Sequence, residues 1–395
     1  MKRFSPTLAI LFLVLISACT TTGTKRNVDG PVSINSPATE ITENQLLNVS
    51  VEIFEPGVLP ESKKDATGLS MEIREAEARY MPEQLRATME KTGFWGAVRV
   101  VPRGTAGGEV IVSGTILESD GAQLELRVTA RDATGRQWFI NEYSDEVEAA
   151  YYRSGGQPYD AFQPLYNTIA NDLAEYRNTL TTADITTTRQ VSELLFAADL
   201  APDAFAKYLQ KTENGQYTIV HLPSADDPMY RRVQAIRDRD LLMIDTLNGH
   251  FDNFHREMEQ PYTEWRKSRS DEAEKLRELE KAAMTRTLVG VAAVVGAIFA
   301  GTSAGSSNDV ISDALLLGGA YALKSGADKR SEAVIHRESI EELGLSFSSE
   351  TQPLVVEVEG KTIELTGSAE NQYIQWRKLM AQIYTTETGL PGATN

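Results

Sequence analysis

Residue types that commonly do chemistry are sparse in this 395-residue chain. Cys19 is the only cysteine, so its thiol is available for modification but has no second cysteine with which to form an intramolecular disulfide. His250 and His255 are five residues apart, which puts them on different faces of a helix, and the spacings typical of zinc sites are absent. The sequence contains neither a phosphate-binding loop nor a dinucleotide fingerprint. We therefore expect no metal and no cofactor.

One serine lies in a pattern that is typical of nucleophilic catalysis. Residues 301–305 read Gly-Thr-Ser-Ala-Gly, which matches the G-x-S-x-G elbow of serine hydrolases, and His336 follows in the right order. The elbow requires a strand before the serine and a helix after it, within a parallel sheet. The residues before Gly301 predict a long helix instead. We therefore expect no catalysis by Ser303 and keep a serine hydrolase as an alternative.

The N-terminal residues are arranged like a secretory signal. Two basic residues precede an apolar run over residues 8–16 that is too short to span a bilayer. The next residues, Ile16-Ser17-Ala18-Cys19, resemble the lipobox of bacterial lipoproteins. The resemblance implies that residues 1–18 are removed and that the Cys19 thiol carries diacylglycerol. An ordinary signal peptide with a chance cysteine is the competing interpretation. Because Thr20 rather than aspartate follows, the resemblance further implies anchoring in the outer membrane, facing the periplasm.

Composition limits the remaining possibilities. A chain of 395 residues can hold two or three domains. Its formal net charge of -17 repels nucleic acid, so we exclude nucleic acid as a partner. Residues 19–44 are rich in Thr, Ser, Pro and Asn, which predicts a flexible tether.

Residues 45–180 predict an α+β domain. Alternating apolar residues from Leu46 to Phe54 indicate a strand, and a helix is expected over 73–91. Four extended segments follow at 97–101, 109–117, 123–130 and 137–145, and then a helix at 160–178. This order indicates a mostly antiparallel sheet with helices on one face.

Three stretches of this domain resemble a known type of envelope protein. They are Glu83-Gln84-Leu85, the run from Thr92 to Pro102, and Val112-Ser113-Gly114-Thr115-Ile116. Residues 46–178 thereby resemble periplasmic domains of the curli-secretion-lipoprotein and TolB amino-terminal type, and auxiliary lipoproteins of envelope ABC transporters. The resemblance implies a non-enzymatic envelope role. It carries over no functional residues.

The rest of the chain predicts mainly helices. Residues 185–224 indicate a small α/β unit, and 226–287 a long helical segment that begins at Asp227-Pro228 and is expected to kink or split at Pro261. That segment suits a coiled-coil stalk or oligomer seam, or a hairpin that packs on its own domain. Residues 330–390 predict a β-hairpin (354–358 with 362–365) and a helix from about Ala369, with Ser368 as its N-cap.

Residues 288–328 combine apolar side chains with regularly spaced small ones. The small residues recur at every fourth position in two series, which are Ala293, Ala297, Gly301, Gly305 and, after a polar break, Ala314, Gly318, Ala322, Gly326. Residues four apart share a helical face, so each series predicts a groove for close helix packing, and the segment resembles a glycine-zipper hairpin. The two helices could pack together within a soluble domain, self-associate, or insert into a membrane. The modest length and Asp313 argue against insertion.

Together these features predict a lipid-anchored periplasmic scaffold or accessory subunit of an outer-membrane transport, secretion or envelope-maintenance system. Its expected partners are the outer membrane, through the lipid, other envelope proteins, and a second copy of itself. One alternative is a self-assembling export or pore component. The other is a periplasmic hydrolase that uses Ser303.

Overall fold

The computed structural model describes residues 23–59, 69–153, 159–300, 337–347, 353–358 and 361–389, with the backbone alone at 153, 272–300, 358 and 361. The strands are β1 (Thr24–Val28), β2 (Leu47–Glu52), β3 (Trp95–Val101), β4 (Val110–Ser119), β5 (Gln123–Asp132), β6 (Gln137–Glu146), β7 (Leu209–Lys211), β8 (Tyr217–Ile219), β9 (Leu354–Val358) and β10 (Lys361–Leu365). The helices are α1 (Met71–Glu90), α2 (Ala149–Arg153), α3 (Gln163–Arg177), α4 (Thr182–Leu200), α5 (Pro202–Phe205), α6 (Pro228–Ala300), α7 (337–347) and α8 (Ala369–Thr388).

A six-stranded sheet in the order β1-β6-β5-β4-β2-β3 forms the centre of the fold. Strands β4, β5 and β6 make an antiparallel meander, whereas β1 pairs with β6, and β2 pairs with both β3 and β4, in parallel. The pair β2–β3 is parallel because helix α1 connects the two strands as a crossover. The predicted α+β class is confirmed, and the sheet is mixed.

The start of the described chain belongs to this sheet. Thr24–Val28 pairs with Asn141–Asp145, and the side-chain amide of Asn167 then donates to the Val32 carbonyl at 2.6 Å. The flexible tether predicted for residues 19–44 is therefore wrong from Thr24 onward. Only Val28 of β1 is buried, so backbone hydrogen bonds hold this edge strand and no hydrophobic alternation reveals it in the sequence.

The other edge strand, β3, is covered by helix α6. The side chain of Asn248 accepts from the Val100 amide at 2.7 Å and donates to the Val100 carbonyl at 2.9 Å. The amide thus pairs with the strand as a neighbouring strand would, and an exposed sheet edge is closed. Arg99 and Asp245 add an ion pair of 2.6 Å beside it.

Helix α6 is one continuous helix of 73 residues, or about 110 Å. Asp227 is its N-cap, as predicted, because its carboxylate accepts from the Met229 amide at 2.9 Å. The split expected at Pro261 does not occur, since proline removes only one helical hydrogen bond and the flanking Met258 and Tyr262 are buried. The helix also continues across residue 288, where the sequence predicted a new unit.

The predicted sequence units share a single core. Buried side chains from β1 through α8 form one contiguous cluster, which includes Ile185, Leu194, Phe196, Ala197 and Leu200 of α4. That helix begins at Thr182, before the small α/β unit predicted over residues 185–224, and a capping box between Thr181 and Asp184 starts it. The C-terminal hairpin of β9 and β10, and the Ser368 cap of α8, are as predicted. Within the described residues, no helix combines the length and hydrophobicity needed to cross a membrane.

Gly114, in the strand pattern that resembles the envelope families, has a packing role. The ring of Phe54 lies against it, so a Cβ at this position would be 2.7 Å from two ring carbons. Glu55 also donates its backbone amide to the Gly114 carbonyl at 2.8 Å, which fixes the segment that carries Phe54. Glycine is needed here because the strand and the aromatic ring approach closely.

We expect Gly114→Ala to lower the free energy of unfolding by about 1–3 kcal/mol, because the added methyl overpacks a buried contact. Gly249→Ala is the matched control, since Gly249 lies in α6 with nothing within 4 Å of the added Cβ. The control should raise stability by about 0.5–1 kcal/mol through its better helix propensity. Urea denaturation of both variants measures the difference. Equal effects of the two substitutions would contradict the packing argument.

Candidate functional site

The site residues predicted from the sequence lie mostly beyond the part of the chain that the structure describes. Cys19, Ser303 and His336 are outside it, as are six of the small residues, namely Gly301, Gly305, Ala314, Gly318, Ala322 and Gly326. Ala293 and Ala297 belong to the helical backbone of α6, without described side chains. The described residues bring two other groups of side chains together, a cleft and a buried charge cluster.

The cleft has a volume of about 660 Å³ and lies between α1 and α8. Segments beside β2 and β3 and the end of α4 complete its walls. The apolar lining includes Ile53, Phe54, Leu200, Ile374 and Ala381, and the charged lining comprises Glu75, Arg79, Arg103, Asp199, Glu370, Arg377 and Lys378. The volume is within the range of about 300–1,000 Å³ that is usual for small-molecule sites.

Ion pairs hold the walls of the cleft in position. Arg79 of α1 reaches Glu370 of α8 at 3.0 Å, and both side chains are largely buried. Arg377 of α8 pairs with Asp199 at the end of α4 and lies 3.5 Å from Asp240 of α6. Four segments that are far apart in sequence are thereby fixed around the same space.

Arg103 is presented by a tight turn after β3. The Thr105 amide donates to the Pro102 carbonyl at 3.3 Å, and Gly104 has φ 75°, as a type II turn requires at its third position. One guanidinium nitrogen of Arg103 donates to the Phe54 carbonyl at 2.9 Å. This contact orients the guanidinium but leaves it without a carboxylate partner among the described residues.

Asp240 lies behind the cleft and joins α6 to α8. Tyr373 Oη and Trp376 Nε1 both donate to its carboxylate at 3.2 Å. Burial raises the pKa of Asp240, and the nearby charge of Arg377 opposes that shift. Tyr373 and Trp376 are themselves buried in the core. Asp240 and Arg377 were not predicted, because their surroundings come from distant segments.

The buried charge cluster joins helix α6 to the sheet and to α1. Tyr262 Oη and Ser119 Oγ donate to the Glu77 carboxylate at 2.6 and 2.5 Å. One turn along α6, Arg266 donates to Asp160 at 2.7 Å, and both side chains are almost fully buried. We call Glu77, Asp160, Tyr262 and Arg266 the helix clamp.

Aromatic rings surround the cation of the helix clamp. The guanidinium carbon of Arg266 lies 3.8 Å from the centre of the Tyr262 ring and 5.0 Å from that of Phe162. Burial is the largest single effect and would lower the pKa of Arg266, but the charge of Asp160 and the interactions with Tyr262, Tyr152 and Tyr80 together outweigh it, so the net shift is upward. Burial raises the pKa of Glu77, although Arg74 acts against it. Arg266 therefore stays protonated inside the protein.

His255 supports the same junction without carrying charge. Its ring stacks on Tyr80 with centres 4.2 Å apart, and Nε2 is 2.9 Å from Gln84 Oε1. The Gln84 amide nitrogen donates to Gln163, so its oxygen is the acceptor and His255 Nε2 is the donor. Burial lowers the pKa of His255 to about 4. Among the described residues, no three His, Cys, Asp or Glu side chains are grouped to hold a metal ion.

Comparison with models of protein families, with curated proteins and with solved structures finds no match to this chain. The resemblance stated for residues 46–178 and the resemblance to a glycine-zipper hairpin therefore remain predictions.

Asp145, at the end of β6, makes stability depend on pH. Burial raises the pKa of its carboxyl to about 7, and its Oδ2 has no hydrogen-bond partner among the described residues. The folded pKa is above the ordinary value of 3.8, so the folded chain binds the proton more tightly than the unfolded chain does. Stability contributed by the protonated carboxyl is therefore lost as pH rises from about 4 to about 7.

We expect Asp145→Asn to be more stable than the natural chain at pH 8, by on the order of 1–3 kcal/mol, with the difference fading as pH falls to about 4. Asp184→Asn should act in the opposite direction, because hydrogen bonds from Thr181 and Arg136 lower the pKa of Asp184 to about 2. Urea titrations at several pH values measure both. A constant difference for Asp145→Asn across that pH range would refute the assignment.

Proposed function

We propose that the chain is a lipid-anchored protein of the bacterial envelope, which faces the periplasm from the outer membrane. There it serves as a non-enzymatic scaffold or accessory subunit of a transport, secretion or envelope-maintenance system. The residues Ile16-Ser17-Ala18-Cys19 support the anchor through their resemblance to a lipobox. The single observation that carries the proposal is the short stretch of chain between Cys19 and the folded sheet.

The sheet begins almost directly after the cysteine. Gly23 lies so close to β6 that an added Cβ would be 2.7 Å from the Ile140 carbonyl oxygen, and β1 starts at Thr24. Four residue steps join Cys19 to Gly23, which span at most about 14 Å. A lipid on Cys19 would therefore hold the β1 edge close to the bilayer headgroups. Such a short link limits the orientations of the domain, as suits a fixed structural component.

Helix α6 supports the scaffold role. Ser270 is its last buried residue among those with described side chains, and the helix continues for thirty residues to Ala300. At 1.5 Å per residue this extension is about 45 Å long. The helix clamp fixes the helix just before the extension begins. A long arm with a fixed base can join the anchored domain to a partner, and the extension includes Ala293 and Ala297 of the small-residue series.

We expect the natural chain, expressed in a Gram-negative host, to carry acyl mass on Cys19 and to fractionate with the outer membrane. Cys19→Ala should abolish the acyl mass, because no other thiol is available. Intact mass spectrometry and membrane fractionation test this.

Thr20→Asp is the matched control for sorting. It keeps Cys19 and should keep the acyl mass, but the resemblance to lipoproteins implies that it moves the protein to the inner membrane. A natural chain that is unmodified and soluble would contradict the anchoring proposal.

A further inference from the structure

The charge of the cleft between α1 and α8 is opposite in sign to that of the protein. Four cationic and three carboxylate side chains line it, whereas the chain as a whole has a net charge of -17. Two of the cations, Arg79 and Arg377, are already paired with carboxylates across the walls. Arg103 and Lys378 form no ion pair with any residue in the described ranges, so they remain available to a ligand.

We propose that this cleft binds a singly charged organic anion with an apolar body, such as a fatty acid or the phosphodiester and acyl portion of a phospholipid. The inference does not depend on acylation of Cys19. Four properties of the cleft support this binding: its cations without an ion-pair partner in the described ranges, its apolar walls, its volume and its rigidity.

The anionic group of the ligand binds at Arg103 and Lys378. The contact with the Phe54 carbonyl holds the Arg103 guanidinium in one orientation and uses one of its nitrogens. The remaining N–H groups form a planar fork that matches two oxygens of a carboxylate or phosphate. Lys378 is an exposed point charge on α8. Glu75 is also exposed at the lining, and it makes a single negative charge more favourable than a double one.

The apolar body of the ligand packs against the walls that surround these cations. Ile374 is about half exposed in the lining, and Pro56 and Ala106 are partly exposed, whereas Ile53, Phe54 and Leu200 are almost fully buried within the walls. An alkyl chain would cover the exposed part of this apolar lining and remove it from water, which favours binding. The ion pair of Arg79 with Glu370 already holds α1 against α8, so the cleft need not reorganise for a ligand.

The test uses the chain from Thr20 onward, which contains every described residue, and isothermal titration calorimetry with dodecanoate below its micellar concentration. We expect saturable binding of one molecule per chain. The double variant Arg103→Gln, Lys378→Gln should weaken it at least about tenfold, because charge-assisted hydrogen bonds are lost. Arg127→Gln, which removes an exposed cation of β5 that is paired with Glu142 of β6, should bind like the unmodified chain.

Three further probes separate the elements of the proposal. Acetate has the charge without the chain, and dodecyl maltoside has the chain without the charge, so both should bind far more weakly than dodecanoate. Phosphatidylglycerol vesicles, in a flotation assay, identify the source of the ligand. Binding to vesicles that requires Arg103 and Lys378 indicates a phospholipid, whereas binding of dodecanoate alone indicates a free fatty acid.

Two results would overturn the proposal. One is the absence of saturable binding to both dodecanoate and the vesicles. The other is equal affinity of the double variant and the unmodified chain, or of dodecyl maltoside and dodecanoate. Both substituted side chains are exposed, so thermal melting should show that the double variant remains folded.

Discussion

The guanidinium of Arg266 is buried between aromatic rings and bonded to a buried carboxylate, Asp160. A charge in this position is costly to remove from water and is tolerated only when its partner is in place, so loss of one partner typically costs about 3–5 kcal/mol. One turn earlier along α6, Tyr262 Oη adds a hydrogen bond to the buried carboxylate of Glu77 on α1. The helix therefore cannot slide or rotate on the sheet without leaving a buried charge unpaired, and the geometry of the rest of the chain depends on this register.

Other contacts along α6 fix two further parts of the fold against this helix. Asn248 closes the β3 edge, and Asp240 holds the helix to α8, which forms one wall of the cleft. Because the same helix makes all these contacts, the sheet edge, the cleft wall and the base of the extension toward Ala300 are positioned together. The charges in the cleft are arranged differently from those in the helix clamp. In the helix clamp Arg266 is paired with Asp160, and Glu77 lies 3.7 Å from Arg74, whereas the cleft leaves Arg103 and Lys378 exposed to solvent.

Local patterns in the sequence predicted the α+β class, the central strands, the N-cap of α6 and the C-terminal hairpin, because alternation and capping are properties of short segments. Strand β1 was missed because only Val28 is buried and the strand is held by its neighbour's backbone. The continuity of α6 through Pro261 was missed because packing on both sides offsets a local helix breaker. The cleft was also missed, since its charged residues come from segments as distant as Glu75 and Lys378, and no pattern in one segment reports that they meet.

Native-state hydrogen exchange on the chain from Thr20 onward tests most directly whether α6 and the sheet are one cooperative unit. If the helix clamp fixes the helix, amides between Phe251 and Arg266 should open with the same free energy as those of Leu124 to Val128 in β5, which is the free energy of global unfolding. If the helix amides open at a free energy several kcal/mol below that of β5, the helix detaches on its own and the account of a fixed arm is wrong.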